Sequence, residues 1–277
     1  MRVSAVFFLL LILPVATAFS QSVTDLADAG PFSVNPVISI DFTATDFVVH
    51  DYENSAKSKE VHEYPVTYEI VNKSLYIDLH QDVDFSSVSF SLSRGRYLVL
   101  YTEGFLALYN GDGKRPVVYC SPKSMWSLDE IRFFNLTPSS TLTEGGVSYD
   151  LSYLRNQWIG KAWAEGRKGP GIGESIRFDE QSDYFRDPPQ TIAVAFVNGY
   201  VSFERPDLYV KNNRIKTLDV VDAKGNTIAT VNFKDRVGIT YFGFRTKSPT
   251  FSFVIKDVYR GTIYDDTCVS LIEPVFY

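Results

Sequence analysis

The chain alternates apolar and polar residues over short stretches, which is typical of half-buried β-strands. These stretches are rich in β-branched and aromatic residues, and turn-forming residues separate them. Between the strand-like runs of the second half, no segment has the helical period over a useful length, which argues against nucleotide-binding folds that alternate strands and helices. The pattern predicts an all-β protein whose strands are VISIDF, YPVTYEIV, SLYIDLH, SVSFSLS, YLVLY, FLALYN, ESIRFD, TIAVAFVNGY, RIKTLDVV, TIATVNF, GITYFGF, TFSFVIKDVY and CVSLIEPVF.

Two turn signals support this arrangement of strands. The segment NGDGK at residues 110–114 and the segment DAKGNT at residues 222–227 each lie between strand-like runs. Asparagine and glycine tolerate the positive φ angles that tight turns require, so both segments predict β-hairpins.

The strand pattern breaks once, near the middle of the chain. The segment SPKSMWSLDEIRFFNLTPSS has prolines near both ends, and its residues 127–134 are compatible with a short helical segment. The break predicts a boundary near residue 130. It would separate a smaller antiparallel β domain at residues 22–130 from a two-sheet β-sandwich at residues 131–277, each folding independently.

The first residues have the parts of a secretory signal peptide. One arginine precedes an apolar block at residues 5–15, and small residues follow at positions 16–18. The block is shorter than the roughly 20 residues that span a bilayer, so it predicts a cleaved signal over about residues 1–20 rather than an anchor. No cysteine follows directly for lipid attachment. We therefore expect an exported protein, secreted or periplasmic, without a membrane span in its mature form, and a flexible lead-in at residues 22–35.

Charge and cysteine content narrow the possible partners. The chain has 27 basic and 33 acidic residues, a net charge of −6, and no basic run. It therefore lacks the phosphate-neutralising surface of nucleic-acid-binding proteins. Export permits a disulfide between Cys120 and Cys268, but two separate buried thiols fit their wide sequence separation better.

The glycine-rich segment WAEGRKGPGIGE does not match a phosphate-binding loop. A dinucleotide fingerprint would need a third glycine at the position of Glu174, and a P-loop would need lysine at the position of Ile172. The strand-like SIRFD follows the segment where a helix would be required. The segment therefore predicts a wide turn that enters a β-strand.

Four ordered motifs of the second half resemble a known family. They are AWAEGRKGPGIGESIRF, VNGY at residues 197–200, YVKNNRIKTLDV at residues 209–220 and IKDVYRGTIYDDTCVSLIE at residues 255–273. Together they resemble the NADase-type glycan-binding domains, which are discoidin-like and similar to factor V/VIII type C domains. The resemblance implies a galactose-binding-like jelly-roll sandwich that binds carbohydrate and does not catalyse a reaction. The first half resembles no such family.

Sugar recognition on a β-sandwich requires aromatic faces beside groups that hydrogen-bond to hydroxyls. Two of the aromatic candidates, Trp163 and Tyr209, could equally pack in the core. The candidate Arg214 could instead join loops through a carboxylate such as Glu165 or Glu174. The candidate ligand-binding residues are Trp163, Glu165, Tyr200, Tyr209, Asn213 and Arg214.

The acidic residues near the C-terminus allow a metal site. Asp265 and Asp266 could bind calcium, with Glu273 added through the family-like SLIE ending. The same aspartates could instead cap a turn. No other cofactor is indicated.

The second domain cannot contain a histidine-based catalytic triad. His50, His62 and His80 all precede it, so it has no imidazole base. The sequence favours a binding protein whose partner is a glycan or a cell-surface protein. A protein-binding scaffold is the alternative, and a hydrolase with its site in the N-terminal domain is a further one.

Overall fold

A computed structural model describes most of the chain beyond the predicted signal peptide. Within it the protein is all-β with antiparallel sheets, which confirms the predicted fold class. The predicted signal peptide, the segment around the predicted boundary and part of the NGDGK turn lie outside the described residues. The structure describes residues 23–35, 37–52, 60–85, 90–111, 115–120, 134–155, 159–180 and 190–276.

The N-terminal half, up to residue 120, begins with a helix (α1) at residues 23–29. Its strands are β1 (Phe32–Ser33), β2 (Ile38–Phe42), β3 (Asp46–Asp51), β4 (Glu60–Val71), β5 (Ser74–Leu79), β6 (Val83–Phe85), β7 (Phe90–Leu92), β8 (Gly95–Thr102), β9 (Phe105–Tyr109) and β10 (Val118–Cys120). Eight of them form one antiparallel sheet in the order β1-β2-β3-β4-β5-β8-β9-β10, and β6 pairs with β7. Residues from all parts of the large sheet meet in one apolar core.

The C-terminal half, from residue 134, is a β-sandwich. Its elements are β11 (Phe134–Pro138), β12 (Thr143–Glu144), β13 (Val147–Ser148), a 3₁₀ helix (Leu151–Arg155), β14 (Trp163–Ala164), β15 (Ser175–Glu180), β16 (Gln190–Asn198), α2 (Asp207–Lys211), β17 (Arg214–Asp222), β18 (Thr227–Asn232), β19 (Ile239–Thr246), β20 (Thr250–Tyr259) and β21 (Cys268–Phe276). One sheet has the order β11-β15-β20-β17-β18, the other β14-β21-β16-β19, and β12 pairs with β13. This is the two-sheet sandwich that the sequence predicted.

The two halves share a third apolar core. Successive side chains of a strand point to opposite faces of a sheet. On β16, Ile192, Val194 and Phe196 therefore face the interior of the sandwich, while Ala193 and Ala195 face the N-terminal sheet. The small alanine side chains allow the two sheets to approach closely. The N-terminal half contributes Tyr76, Leu98, Leu100, Phe105, Ala107 and Tyr109 to this shared core.

Hydrogen bonds also join the two halves. The Lys73 ammonium lies 2.5 Å from Asp235 Oδ2, and the Val237 amide donates to the Lys73 carbonyl at 3.2 Å. Tyr76 donates its hydroxyl to the Phe203 carbonyl at 3.1 Å. The halves are therefore in contact through both apolar packing and specific polar groups.

The predicted flexible lead-in at residues 22–35 is corrected by the structure. Residues 23–29 are helical and the Leu26 side chain is 0% exposed, in the core of the N-terminal half. Phe32 on β1 is likewise buried, because β1 pairs with β2. The segment was too short for its periodicity to stand out.

Two further features bear on the predictions. Cys120 and Cys268 are both buried and free, which confirms two separate thiols over a disulfide. No helix among the described residues is long and apolar enough to cross a membrane.

Candidate functional site

A cleft of about 400 Å³ opens at one end of the sandwich, where several strands begin or end. Ala164 ends β14, Tyr200 follows β16 and Cys268 begins β21. Rigid strands thus position the walls, and the loops between them supply most of the exposed groups. The lining residues are Leu142, Glu144, Tyr149, Ala164, Tyr200, Arg205, Leu208, Asn212, Tyr264, Asp266 and Cys268.

Three tyrosines give the cleft an aromatic character. The rings of Tyr149 and Tyr200 meet edge to face with centroids 6.5 Å apart. Tyr200 donates its hydroxyl to the Gly160 carbonyl at 3.1 Å, which holds the ring in place, and burial raises its pKa to about 12. Tyr264 is 43% exposed at the rim. A fixed ring beside an exposed ring suits contact with the apolar face of a small ligand.

The cleft also has charged groups of both signs. Arg205 donates from Nε and Nη2 to the two carboxylate oxygens of Asp207, each at 3.0 Å. Asp207 also pairs with Lys211 at 2.6 Å, and the hydrogen bonds from Arg205 and Lys211 lower its pKa. A cationic patch therefore flanks the cleft beside α2.

Two acidic residues, Glu144 and Asp266, also line the cleft. Burial raises the pKa of Asp266, and the nearby charges of Glu144 and Asp265 raise it further. Asp265 itself pairs with Arg260 at 2.6 Å. Asp266 therefore presents a half-buried carboxyl group that can accept hydrogen bonds from a ligand. Burial has removed part of the hydration of this group, and a hydrogen bond from a ligand would compensate for that loss.

The structure places five of the six predicted ligand-binding residues in the interior, away from solvent. Trp163 belongs to the sandwich core and donates its indole N–H to the Ser140 carbonyl at 3.2 Å. Tyr209 belongs to the core shared by the two halves, with the Arg214 guanidinium 5.2 Å from its ring centre. Of the two alternatives for these rings, the structure shows core packing, and their assignment as ligand-binding residues is corrected. Only Tyr200 lines the cleft.

Glu165 organises the glycine-rich turn. Its side chain is 0% exposed and accepts from the Arg167 amide at 2.8 Å and the Thr267 amide at 3.3 Å. Burial raises its pKa although these two hydrogen bonds oppose the rise. Gly171 has φ +68° beneath this carboxylate, where a Cβ would lie 2.6 Å from Glu165 Cγ. The segment is thus a close-packed turn that leads into β15.

Asn213 and Arg214 are also structural. Asn213 donates to the Asp265 carbonyl at 2.6 Å and accepts from the Gly261 amide at 2.7 Å. Arg214 donates to the Asp235 carboxylate, at 2.8 Å from Nη2 to each oxygen, and from Nη1 to the Asn212 and Arg260 carbonyls. Arg214 therefore joins loops through a carboxylate, as the structural alternative predicted, and its assignment as a ligand contact is corrected. The carboxylate is that of Asp235, not that of Glu165 or Glu174.

The three predicted metal ligands are not brought together. Asp265 is paired with Arg260, and Asp266 lines the cleft. Glu273 lies five residues into β21, about 17 Å along the strand from its first residue, and accepts from the Tyr119 hydroxyl at 3.0 Å. Among the described residues, no three histidine, cysteine, aspartate or glutamate side chains form a metal-binding group.

Sequence reasoning missed most of the cleft. Tyr149, Arg205 and Leu208 lie outside the four motifs that carried the family resemblance, whereas Tyr264 lies within the fourth motif and was not selected. The available signal was the succession of turns, since each missed residue lies in or beside a loop between predicted strands. Which loops share one end of the sandwich depends on the order of strands in each sheet, and turn patterns do not provide this order.

Comparison with known proteins matches the C-terminal half to one family. Residues 131–275 match the model of the NAD glycohydrolase translocation F5/8 type C domain, which is 145 of 277 residues. No protein of curated function matches the chain.

Solved structures give only distant likenesses. The cryo-EM structure of arabinofuranosyltransferase AftD from Mycobacteria is similar at 14% identity and a TM-score of 0.39, over 52% of this chain and 10% of that chain. A structure of a mutant of the same enzyme is similar at 13% identity and a TM-score of 0.37, over 52% of this chain and 11% of that chain. The chain spans about a tenth of the length of these proteins. At these TM-scores the likeness says nothing about what this chain binds.

Proposed function

Because the chain belongs to the family of NAD glycohydrolase translocation F5/8 type C domains, we propose that it is an exported, non-catalytic binding protein that recognises carbohydrate. Membership of this family supports a module that binds carbohydrate or protein. The proposal places the binding site in the cleft at the end of the sandwich. It assigns no cofactor to the site.

The mixed lining of the cleft is the observation that carries this proposal. A sugar has apolar C–H faces and a rim of hydroxyls, so its site needs aromatic rings beside charged hydrogen-bonding groups. Tyr149, Tyr200 and Tyr264 supply the rings, while Arg205 can donate and Asp266 can accept. The volume of about 400 Å³ fits one or two sugar rings within the range of small-molecule sites.

A glycan-array screen of the full-length exported chain tests the proposal. We expect binding to a restricted set of glycans that is lost in Arg205→Ala. The matched control is Arg177→Ala, because Arg177 is similarly exposed and forms the same two-bond pair with the aspartate two residues later, but on β15 outside the cleft. Binding that survives Arg205→Ala, or falls equally in both variants, would remove the cleft from the proposal.

Running the array with and without a chelator separates the role of calcium. Since Asp265, Asp266 and Glu273 do not converge, we expect the same glycans to bind in both conditions. A complete absence of glycan binding by a folded protein would shift the function to a protein partner. The exposed apolar side chains of Val147, Ile263 and Tyr264 near the cleft make such a partner the second candidate.

A further inference from the structure

One wall of the cleft is built on the N-terminal half. The segment at residues 199–213 supplies Tyr200, Arg205, Leu208 and Asn212 to the cleft. Its intervening side chains point the other way, into the core shared with the N-terminal half, as Val201, Phe203, Tyr209 and Val210. The segment is therefore held between the cleft and the N-terminal sheet.

Tyr76 on β5 holds the middle of this wall. Its hydroxyl donates to the Phe203 carbonyl at 3.1 Å, and its ring meets the Phe203 ring edge to face at 5.7 Å. Phe203 lies two residues from Arg205, which carries the cationic group of the cleft. A shift of the Phe203 backbone would therefore displace Arg205.

Lys73, in the turn between β4 and β5, is connected to the C-terminal end of this wall through the side chains of Asp235 and Arg214. It pairs with Asp235, which pairs with Arg214. Burial alone would raise the pKa of Asp235, and the hydrogen bonds from Lys73 and Arg214 outweigh burial and lower it. The three charges thus form one connected network.

Arg214 connects this network to the backbone of two segments that line the cleft. From Nη1 it donates to the Asn212 carbonyl at 3.0 Å and to the Arg260 carbonyl at 3.1 Å. Asn212 lies at the end of α2, and Arg260 begins the loop that carries Tyr264 and Asp266. The two carbonyls are held by the same guanidinium, so their spacing depends on the orientation of Arg214.

We propose that the N-terminal half is a positioning element for the cleft, and that Tyr76 and Lys73 are positioning residues that hold its wall in the binding conformation. The alternative is that the halves merely touch and the wall is rigid on its own. The inference rests on the proposed function only for the identity of the ligand. The arrangement of the wall is a property of the chain with no ligand bound.

Hydrogen exchange of backbone amides in the full-length protein, without ligand, tests this proposal. In Tyr76→Phe we expect exchange within residues 199–213 to become about fivefold faster, as follows from the loss of one hydrogen bond. The matched control is Tyr68→Phe, which removes a tyrosine hydroxyl that donates to the Thr43 carbonyl within the N-terminal half. This control should leave residues 199–213 unchanged.

A second variant addresses the network independently. Lys73→Met should accelerate exchange at residues 212–214 and 260–266, and Lys73→Arg should restore it, because arginine can still pair with Asp235. Lys216→Met is the matched control, since Lys216 forms an exposed pair with Asp257 on the sandwich and does not line the cleft. A purely stabilising contact would change exchange across the whole sandwich in proportion to the melting temperature.

The outcomes separate cleanly. Faster exchange confined to the cleft wall supports the positioning role, even if no glycan is found to bind. Unchanged exchange at the wall in both Tyr76→Phe and Lys73→Met, or a uniform change throughout the sandwich, overturns it. Neither result depends on the glycan array, so the two proposals can fail separately.

Discussion

Arg214 donates two hydrogen bonds at 2.8 Å from Nη2 to the two carboxylate oxygens of Asp235, and its own side chain is only 4% exposed. Nε donates to Asp235 Oδ1 at 3.1 Å, and Nη1 donates to two backbone carbonyls. A guanidinium satisfied on all sides has no donor to offer a ligand. The residue that looked from sequence like a sugar contact therefore joins the cleft loops to the N-terminal half.

Replacing Arg214 with alanine should lower the free energy of unfolding by about 2–4 kcal/mol, because a partly buried carboxylate and two carbonyls lose the donors that Arg214 supplies. Lys73 still neutralises part of the Asp235 charge, which limits the loss. Urea denaturation measures the effect. Arg177→Ala, which breaks an exposed pair, should change the free energy of unfolding far less than Arg214→Ala does. Unchanged stability in Arg214→Ala together with lost ligand affinity would return Arg214 to the binding site.

The shared core predicts that the two halves unfold together. Separation would expose the apolar face formed by Leu98, Leu100 and Phe105 on one side and by β16 on the other. We therefore expect one calorimetric transition for the full chain, and this revises the expectation of independent folding. Ala195→Asp, which places a charge in the shared core, should lower the melting temperature of the whole protein. The same substitution at the exposed Ala223 should not. Two resolved transitions would contradict the prediction.

Most of the longer strands were predictable because each buries at least one face. TFSFVIKDVY alternates along β20, and Phe251, Phe253 and Ile255 all point into the sandwich core. Two of the predicted strands also contained an indication that the halves are in contact, and the sequence analysis did not use it. YLVLY and FLALY are continuously apolar, which indicates strands covered on both faces. In the structure Leu98 and Leu100 face the sandwich, whereas Tyr97 and Val99 face the N-terminal core.

The site was less predictable because residue type does not determine burial. Trp163 and Tyr209 have the chemistry of sugar contacts, but fully apolar surroundings suit the same rings. Tyr200 and Tyr209 are nine positions apart in the sequence. The conformation of the turn and helix in this segment directs Tyr200 to the cleft and Tyr209 to the shared core. Tyr209 is buried because the N-terminal sheet covers it, and the motifs of the second half contain no information about that sheet.

The glycine-rich turn should tolerate no side chain at Gly171. Alanine there would adopt φ +68° and place its Cβ 2.6 Å from Glu165 Cγ, so we expect a loss of about 2 kcal/mol or more in the free energy of unfolding. Gly145→Ala is the matched control, because Gly145 has a similar φ of +57° with nothing within 4 Å of the added carbon. It should cost about 1 kcal/mol. Equal losses in the two variants would mean that the contact with Glu165 is unimportant.

Replacing Asp266 with asparagine should separate binding from stability. The carboxyl is half-buried and its pKa is raised by burial and by the neighbouring charges of Glu144 and Asp265, so its ionised form disfavours the folded state. A carboxyl with a raised folded-state pKa contributes stability at low pH that is lost as pH rises through that pKa. Asp266→Asn should therefore be more stable than the parent at about pH 7, and the difference should shrink as pH falls through the raised pKa.

The matched control is Asp257→Asn, for which the expected change in stability at neutral pH has the opposite sign. A hydrogen bond from Lys216 lowers the pKa of Asp257, so this carboxylate stabilises the fold above its unfolded-state pKa. Asp257→Asn should lower stability at neutral pH, and the loss should disappear in acid. Denaturation of both variants across this pH range checks the two signs.

If Asp266 accepts a hydrogen bond from a sugar, Asp266→Asn should also weaken glycan binding by about tenfold or more while the fold gains stability. A variant that is both less stable and equally able to bind would show that Asp266 supports the loop and does not contact the ligand.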